Sequence, residues 1–91
     1  MKLTDEERRA LPATHPDWEL DSELIRRTFQ FGGFTESVAF VVRVGFLAEQ
    51  ADHHPDIDIR WNKVTLVLST HSENALTEKD TLLATAIDAL V

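Results

Sequence analysis

Ninety-one residues with a net charge of −7 and no cysteine describe one small domain over 1–91, near the size at which a single hydrophobic core just suffices. No disulfide framework or thiolate metal site can add stability. The acidity argues against a direct nucleic-acid surface, which needs Lys and Arg against phosphates. No apolar run approaches the roughly 18 residues that span a bilayer, and the N-terminus lacks a signal-peptide pattern, so a cytoplasmic protein without membrane contact is expected.

Thr4 followed by Glu7 has the form of a capping box, a hydroxyl at the N-cap and a Glu three residues on. A helix is predicted from Asp5 towards Leu11, stopping at Pro12, with His15 in a solvated loop between Pro12 and Pro16. Trp18 and Leu20 alternate with Asp17, Glu19 and Asp21 as a short half-buried strand, and Ile25, Phe29 and Phe31 mark a second strand after a turn at Ser22. Arg27 breaks the apolar parity of the second strand, which suggests an edge or an interface. Gly32-Gly33 ends it.

From Thr35, a candidate N-cap, to about His53 the pattern is helical, with Val38, Val41, Val42, Gly45, Phe46 and Ala48 at three- and four-residue spacings. Pro55 bars its continuation. Glu49 and His53 fall four apart on one face. Ile57, Ile59 and Trp61 then alternate as a third strand, and Val64, Leu66, Leu68 and Thr70 as a fourth. The change of parity across Asn62-Lys63 implies a two-residue hairpin, and the fourth strand carries Ser69, Thr70 and His71 to its end. Thr77 and Asp80 form a second capping box, and Leu82, Leu83, Ala86, Ile87 and Leu90 make the apolar stripe of a closing helix. The fold class is α+β, in the order α-β-β-α-β-β-α: a four-stranded antiparallel sheet with three helices on one face.

Three of the four histidines lie between Glu49 and His71, and histidine is the side chain that gives and takes protons near neutral pH. His53 and His54 end the central helix, His71 ends the fourth strand and Asp80 opens the last helix. If these ends meet, imidazoles and carboxylates border one pocket suited to paired acid and base steps without a metal. Competing readings are that His53 and His54 only cap helix carbonyls and that His71 is an ordinary strand-end residue. A zinc site from Glu49, His53 and His71 matches none of the usual ligand spacings. No cysteine nucleophile, Gly-rich phosphate loop or Gly-x-Ser-x-Gly elbow is present.

Glu49, His53-His54-Pro55, Trp61, His71 and Asp80 together resemble the motif of the pterin-4a-carbinolamine dehydratases. Asn62-Lys63-Val64, Leu68-Ser69-Thr70-His71, Trp18 and Phe29-x-Phe31-x-x-Phe34 are similar to the same family's wording. Asp56-Ile57 replaces the acidic-aromatic pair of the animal proteins, Trp61 stands for a tyrosine, and Lys79 precedes Asp80 where Arg is familiar. The resemblance implies a 4a-hydroxytetrahydrobiopterin dehydratase, a hydro-lyase that removes water from 4a-hydroxytetrahydropterin to give quinonoid dihydropterin in tetrahydropterin recycling, with no cofactor and no metal. It implies catalytic roles for His53, His54 and His71. Glu49, Asp52 and Asp80 would orient imidazoles or hold the pterin, and Pro55, Thr70 and Ser72 would line its pocket. It also implies a homodimer or homotetramer and a link to an aromatic amino acid hydroxylase pathway. The other role open to this fold is that of a non-catalytic dimerisation or assembly cofactor.

Overall fold

The computed structural model describes residues 1–91 and has the expected order: α1 (Asp5–Thr14), β1 (Glu19–Asp21), β2 (Leu24–Gln30), α2 (Phe34–Ala51), β3 (Asp56–Arg60), β4 (Lys63–Leu68) and α3 (Glu78–Asp88). The four strands form one antiparallel sheet ordered β1-β2-β4-β3. Registers such as Leu20↔Ile25, Ile25↔Leu68 and Phe29↔Val64 put apolar side chains on one face. The helices cover that face, and Phe40 and Val44 of α2 and Leu83 and Ile87 of α3 join Ile25, Phe29, Val64, Leu66 and Leu68 in the core.

Both capping boxes form, Thr4 with Glu7 and Thr77 with Asp80. α1 nevertheless runs past Pro12 to Thr14. Proline removes one N–H from the ladder, but Leu11 is buried and its carbonyl accepts from the His15 backbone N–H at 2.7 Å. His15 is not a free loop residue: its Nε2 donates to Thr85 Oγ1 (2.9 Å) and the Thr81 carbonyl (3.2 Å), pinning the end of α1 to α3.

Arg27 does not mark an edge, because β2 lies between β1 and β4. The guanidinium points to the helical side, where it donates to Asp88 Oδ1 at 2.6 Å and lies over the Phe29 ring. Trp18, just before β1, is buried and donates Nε1–H to the same carboxylate at 2.9 Å. A charge breaks the parity here because α3 brings its counter-ion.

The N-cap of α2 is Gly33 rather than Thr35, and Ser37 Oγ donates back to the Gly33 carbonyl. The helix ends at Ala51, with Asp52 in the left-handed region (φ 49°), so His53 lies beyond it. The expected core stripe is turned towards solvent in part: Ser37, Phe40, Val44 and Ala48 are buried, while Val38, Val42 and Phe46 are exposed, Phe46 to 73%. The helix is apolar on more than one side, and spacing alone cannot rank its faces.

The β3–β4 hairpin turns at Trp61-Asn62, one residue earlier than expected, with Arg60 paired to Lys63 and Trp61 at φ 52°. Asn62 Nδ2 donates to the Phe31 carbonyl, and Phe31 N–H donates to the Asn62 carbonyl, which fixes that turn against the end of β2. β4 stops at Leu68, so Thr70 and His71 lie in a loop closed by the Thr70↔Ala75 bridge. In α3, Leu83 and Ile87 are buried but Leu82 stands 61% exposed.

Candidate active site

Asp52 in its left-handed conformation ends α2 and turns the chain so that consecutive histidines diverge. His53 is 9% exposed and donates Nε2–H to Asp80 Oδ1 at 2.5 Å. Asp80 has no exposed surface; it stands in the first turn of α3, and its second oxygen accepts from the Thr77 backbone N–H (3.0 Å) and Thr70 Oγ–H (2.9 Å). Thr77 Oγ lies 2.6 Å from Thr70 Oγ and donates to it, because Thr70's own hydrogen is committed to Asp80. No buried side-chain polar atom is left without a partner. A carboxylate only accepts, so Nε2 of His53 carries the hydrogen and Nδ1 is its remaining nitrogen.

His54 stays in solvent and donates Nε2–H to Glu49 at 2.6 Å, with both side chains mostly exposed. Glu49 thus partners His54, not the His53 that helical spacing had set beside it. His71 is exposed on the loop after β4. The β1–β2 turn holds that loop: Ser69 Oγ donates to the Glu23 carbonyl (2.6 Å), and Leu76 N–H and Arg8 Nη1 donate to Glu23 Oε1 at 3.2 and 2.8 Å. The Leu76 N–H, against a smaller opposing effect of desolvation and with help from the Arg8 guanidinium, holds the Glu23 carboxyl below its usual range.

Asp52, His53, His54, Ser69, Thr70, His71, Ser72 and Lys79 line one polar hollow of about 220 Å³. It therefore collects all three site histidines with Asp52, Thr70 and Ser72 from the predicted set. Glu49 and Pro55 do not line it, and Asp80 stands behind it, reaching it through His53. Lys79 and Thr77 were absent from that set. Thr77 was legible only as a helix cap and Lys79 only as the neighbour of Asp80, because nothing in the spacing says that the start of α3 faces the end of α2. No group of three or more His, Asp or Glu side chains is arranged to hold a metal ion.

The pterin 4 alpha carbinolamine dehydratase family model matches residues 1–90. The chain belongs to this family. A relative from Chloroflexus aurantiacus carrying the family's name is 50% identical over 90 residues, covering 99% of this chain and 97% of its own. One from Mycobacteroides abscessus is 46% identical over 89 residues, covering 98% and 95%. A crystal structure from Brucella melitensis, described as a transcriptional coactivator/pterin dehydratase, superposes with a TM-score of 0.92 at 34% identity, covering 99% of this chain and 98% of that one. A pterin dehydratase-like protein described as a RuBisCO assembly factor of the alpha-carboxysome superposes with a TM-score of 0.69 at 25% identity, covering 85% and 92%. Dehydratase-family membership and the three-histidine hollow thus coincide in one chain.

Proposed function

We propose that this member of the pterin carbinolamine dehydratase family removes water from 4a-hydroxytetrahydropterins, giving the quinonoid dihydropterin that a reductase returns to the tetrahydropterin. The observation that carries the reading is the convergence of His53, His54 and His71 on one hollow lined by no apolar residue, of a size for a bicyclic ring lying partly open to water. Dehydration breaks the C4a–O bond and removes the hydrogen of the adjacent ring nitrogen. A protonated imidazole donates to the departing hydroxyl, which leaves as water, and a second group takes the nitrogen's proton. Positioned acid and base groups of this kind contribute about 10²–10⁴-fold.

His53 and His71 carry the proton transfers in this reading, and His54 positions the ring with Glu49 behind it. Asp80 fixes the orientation and tautomer of His53, so that Nδ1 is the nitrogen offered to substrate. Asp52 and Ser72 contribute polar contacts, Thr70 lines the hollow while its hydroxyl holds Asp80 behind His53, and Pro55 sets the direction in which the chain leaves the site. The assay is loss of chemically generated carbinolamine by absorbance. Acceleration well above buffer is expected, falling by roughly 10²-fold or more in His53→Ala and His71→Ala; no acceleration by the wild-type protein sinks the reading.

The RuBisCO assembly factor of similar fold marks the alternative, a non-catalytic binding role. The full histidine set favours the enzyme. Self-association as a homodimer or homotetramer accompanies either role: Phe34, Val38, Val42 and Phe46 lie exposed at every fourth residue of α2, and β3 is a sheet edge with Ile57 and Ile59 exposed. Such patches mark interaction surfaces. Sedimentation of a strictly monomeric species would count against this.

A further inference from the structure

A second hollow, about 310 Å³, opens between the C-terminal half of α2 and the first turns of α3, with Leu47 and Ala51 on one side and Leu82, Leu83 and Ala86 on the other. It shares His53 and Lys79 with the polar hollow and otherwise contrasts with it: five of its lining residues are apolar, and none of the other's are. The only other polar group in its wall is Gln50. Leu82 is left 61% exposed there although its neighbours Leu83 and Ala84 are buried. A ring seated against His53 therefore has an uncovered apolar space directly beside it.

We propose that this hollow is a subsite for an apolar substituent carried on the pterin ring, so that the protein favours pterins bearing a short alkyl or aryl group over those bearing a polyhydroxylated chain. The proposal rests on the dehydratase reading given above and adds the substrate class. The occupant is attached to the ring because the two hollows share His53 and Lys79, which sets the apolar space beside the reaction site. Its chemistry follows from the wall. Hydroxyls pushed into it would give up water for partners only at its rim, Gln50, Lys79 and His53, the last already engaged by the ring, and hydroxyls left unpaired against the apolar wall are costly. Each methylene removed from water is worth about fourfold in affinity.

The test is initial-rate kinetics on carbinolamines of a ring series carrying methyl, propyl or dihydroxypropyl at one position. Expected is a KM lower by roughly tenfold for propyl than for methyl, less than full burial allows because the hollow is open on one side. kcat should be nearly constant, and dihydroxypropyl no better than methyl. Ala86→Phe, which fills the space, should erase the propyl advantage and leave methyl turnover unchanged. Leu82→Gln, at an exposed and tolerant position, should reduce it. A dihydroxypropyl substrate that binds as tightly as propyl, or a propyl advantage that survives both substitutions, overturns the subsite while leaving the dehydratase reading standing. Loss of self-association in Leu82→Gln with an unchanged methyl-to-propyl ratio assigns the hollow to a second copy of the chain, and also overturns it. Should no carbinolamine react, the dehydratase reading fails, and binding of the stable propyl- and dihydroxypropyl-dihydropterins decides the subsite: selective loss of the propyl compound in Ala86→Phe supports it, and equal affinities overturn it.

Discussion

His53 is almost enclosed and bonded to a carboxylate with no exposed surface, whereas His54, the next residue, holds its ring in solvent against the exposed Glu49. The first belongs to a closed network in which Asp80, Thr70 and Thr77 satisfy one another, the second to a surface pair of the kind worth about 0–1 kcal/mol. One wall of the site is therefore set during folding, because breaking it would strand buried polar groups. The other can rearrange at little cost. The difference arises at Asp52, whose left-handed backbone ends α2 and sends one imidazole towards α3 and its neighbour outwards.

The contrast predicts where stability and activity separate. Asp80→Ala removes the acceptor for His53, Thr70 and the Thr77 N–H together and should cost about 3–5 kcal/mol, the range for stranding one side of a buried pair, with turnover lost alongside; a change below about 1 kcal/mol in urea denaturation would contradict the closed network. His54→Ala should reverse the pattern. Its turnover should fall by roughly 10²-fold through lost positioning of the ring while its stability to denaturant stays within about 0.5 kcal/mol of wild type, and an equal loss of stability would mean that the outer wall is also structural.

Thr77→Ala deletes an N-cap hydroxyl and the donor to Thr70, for about 1 kcal/mol, read from the shift in thermal midpoint. The smallest effect is expected at Glu23, whose lowered pKa gives a contribution present above the ordinary carboxylate value and lost as pH falls through the folded one. The stability gap between wild type and Glu23→Gln should be constant from neutral pH down to about 4.5 and close below it. A gap that widens on acidification would reverse the assigned direction.

Much of this was legible in local order. Turn residues, capping boxes at Thr4 and Thr77 and the period-two runs of the strands are short-range signals, and they place all seven elements in their correct order. The three histidines near element ends line one hollow, with Asp80 bonded to the first of them. Failures came where a distant element supplied the deciding partner. Pro12 did not end α1 because Leu11 is buried and His15 is tied to α3. Arg27 faces the helices because Asp88 is there.

α2 shows the limit most clearly. Its periodicity establishes a helix with apolar residues around much of its circumference, and covering by the sheet and α3 chose Phe40, Val44 and Ala48 over Val38, Val42 and Phe46. Residue types and their spacing settle local conformation and the stock of acids and bases, because those depend on a few neighbouring dihedrals and side chains. Which histidine is enclosed, which carboxylate partners it and which apolar face stays open depend on groups 27 or more positions apart, as in His53 and Asp80, and became definite when the helices packed on the sheet.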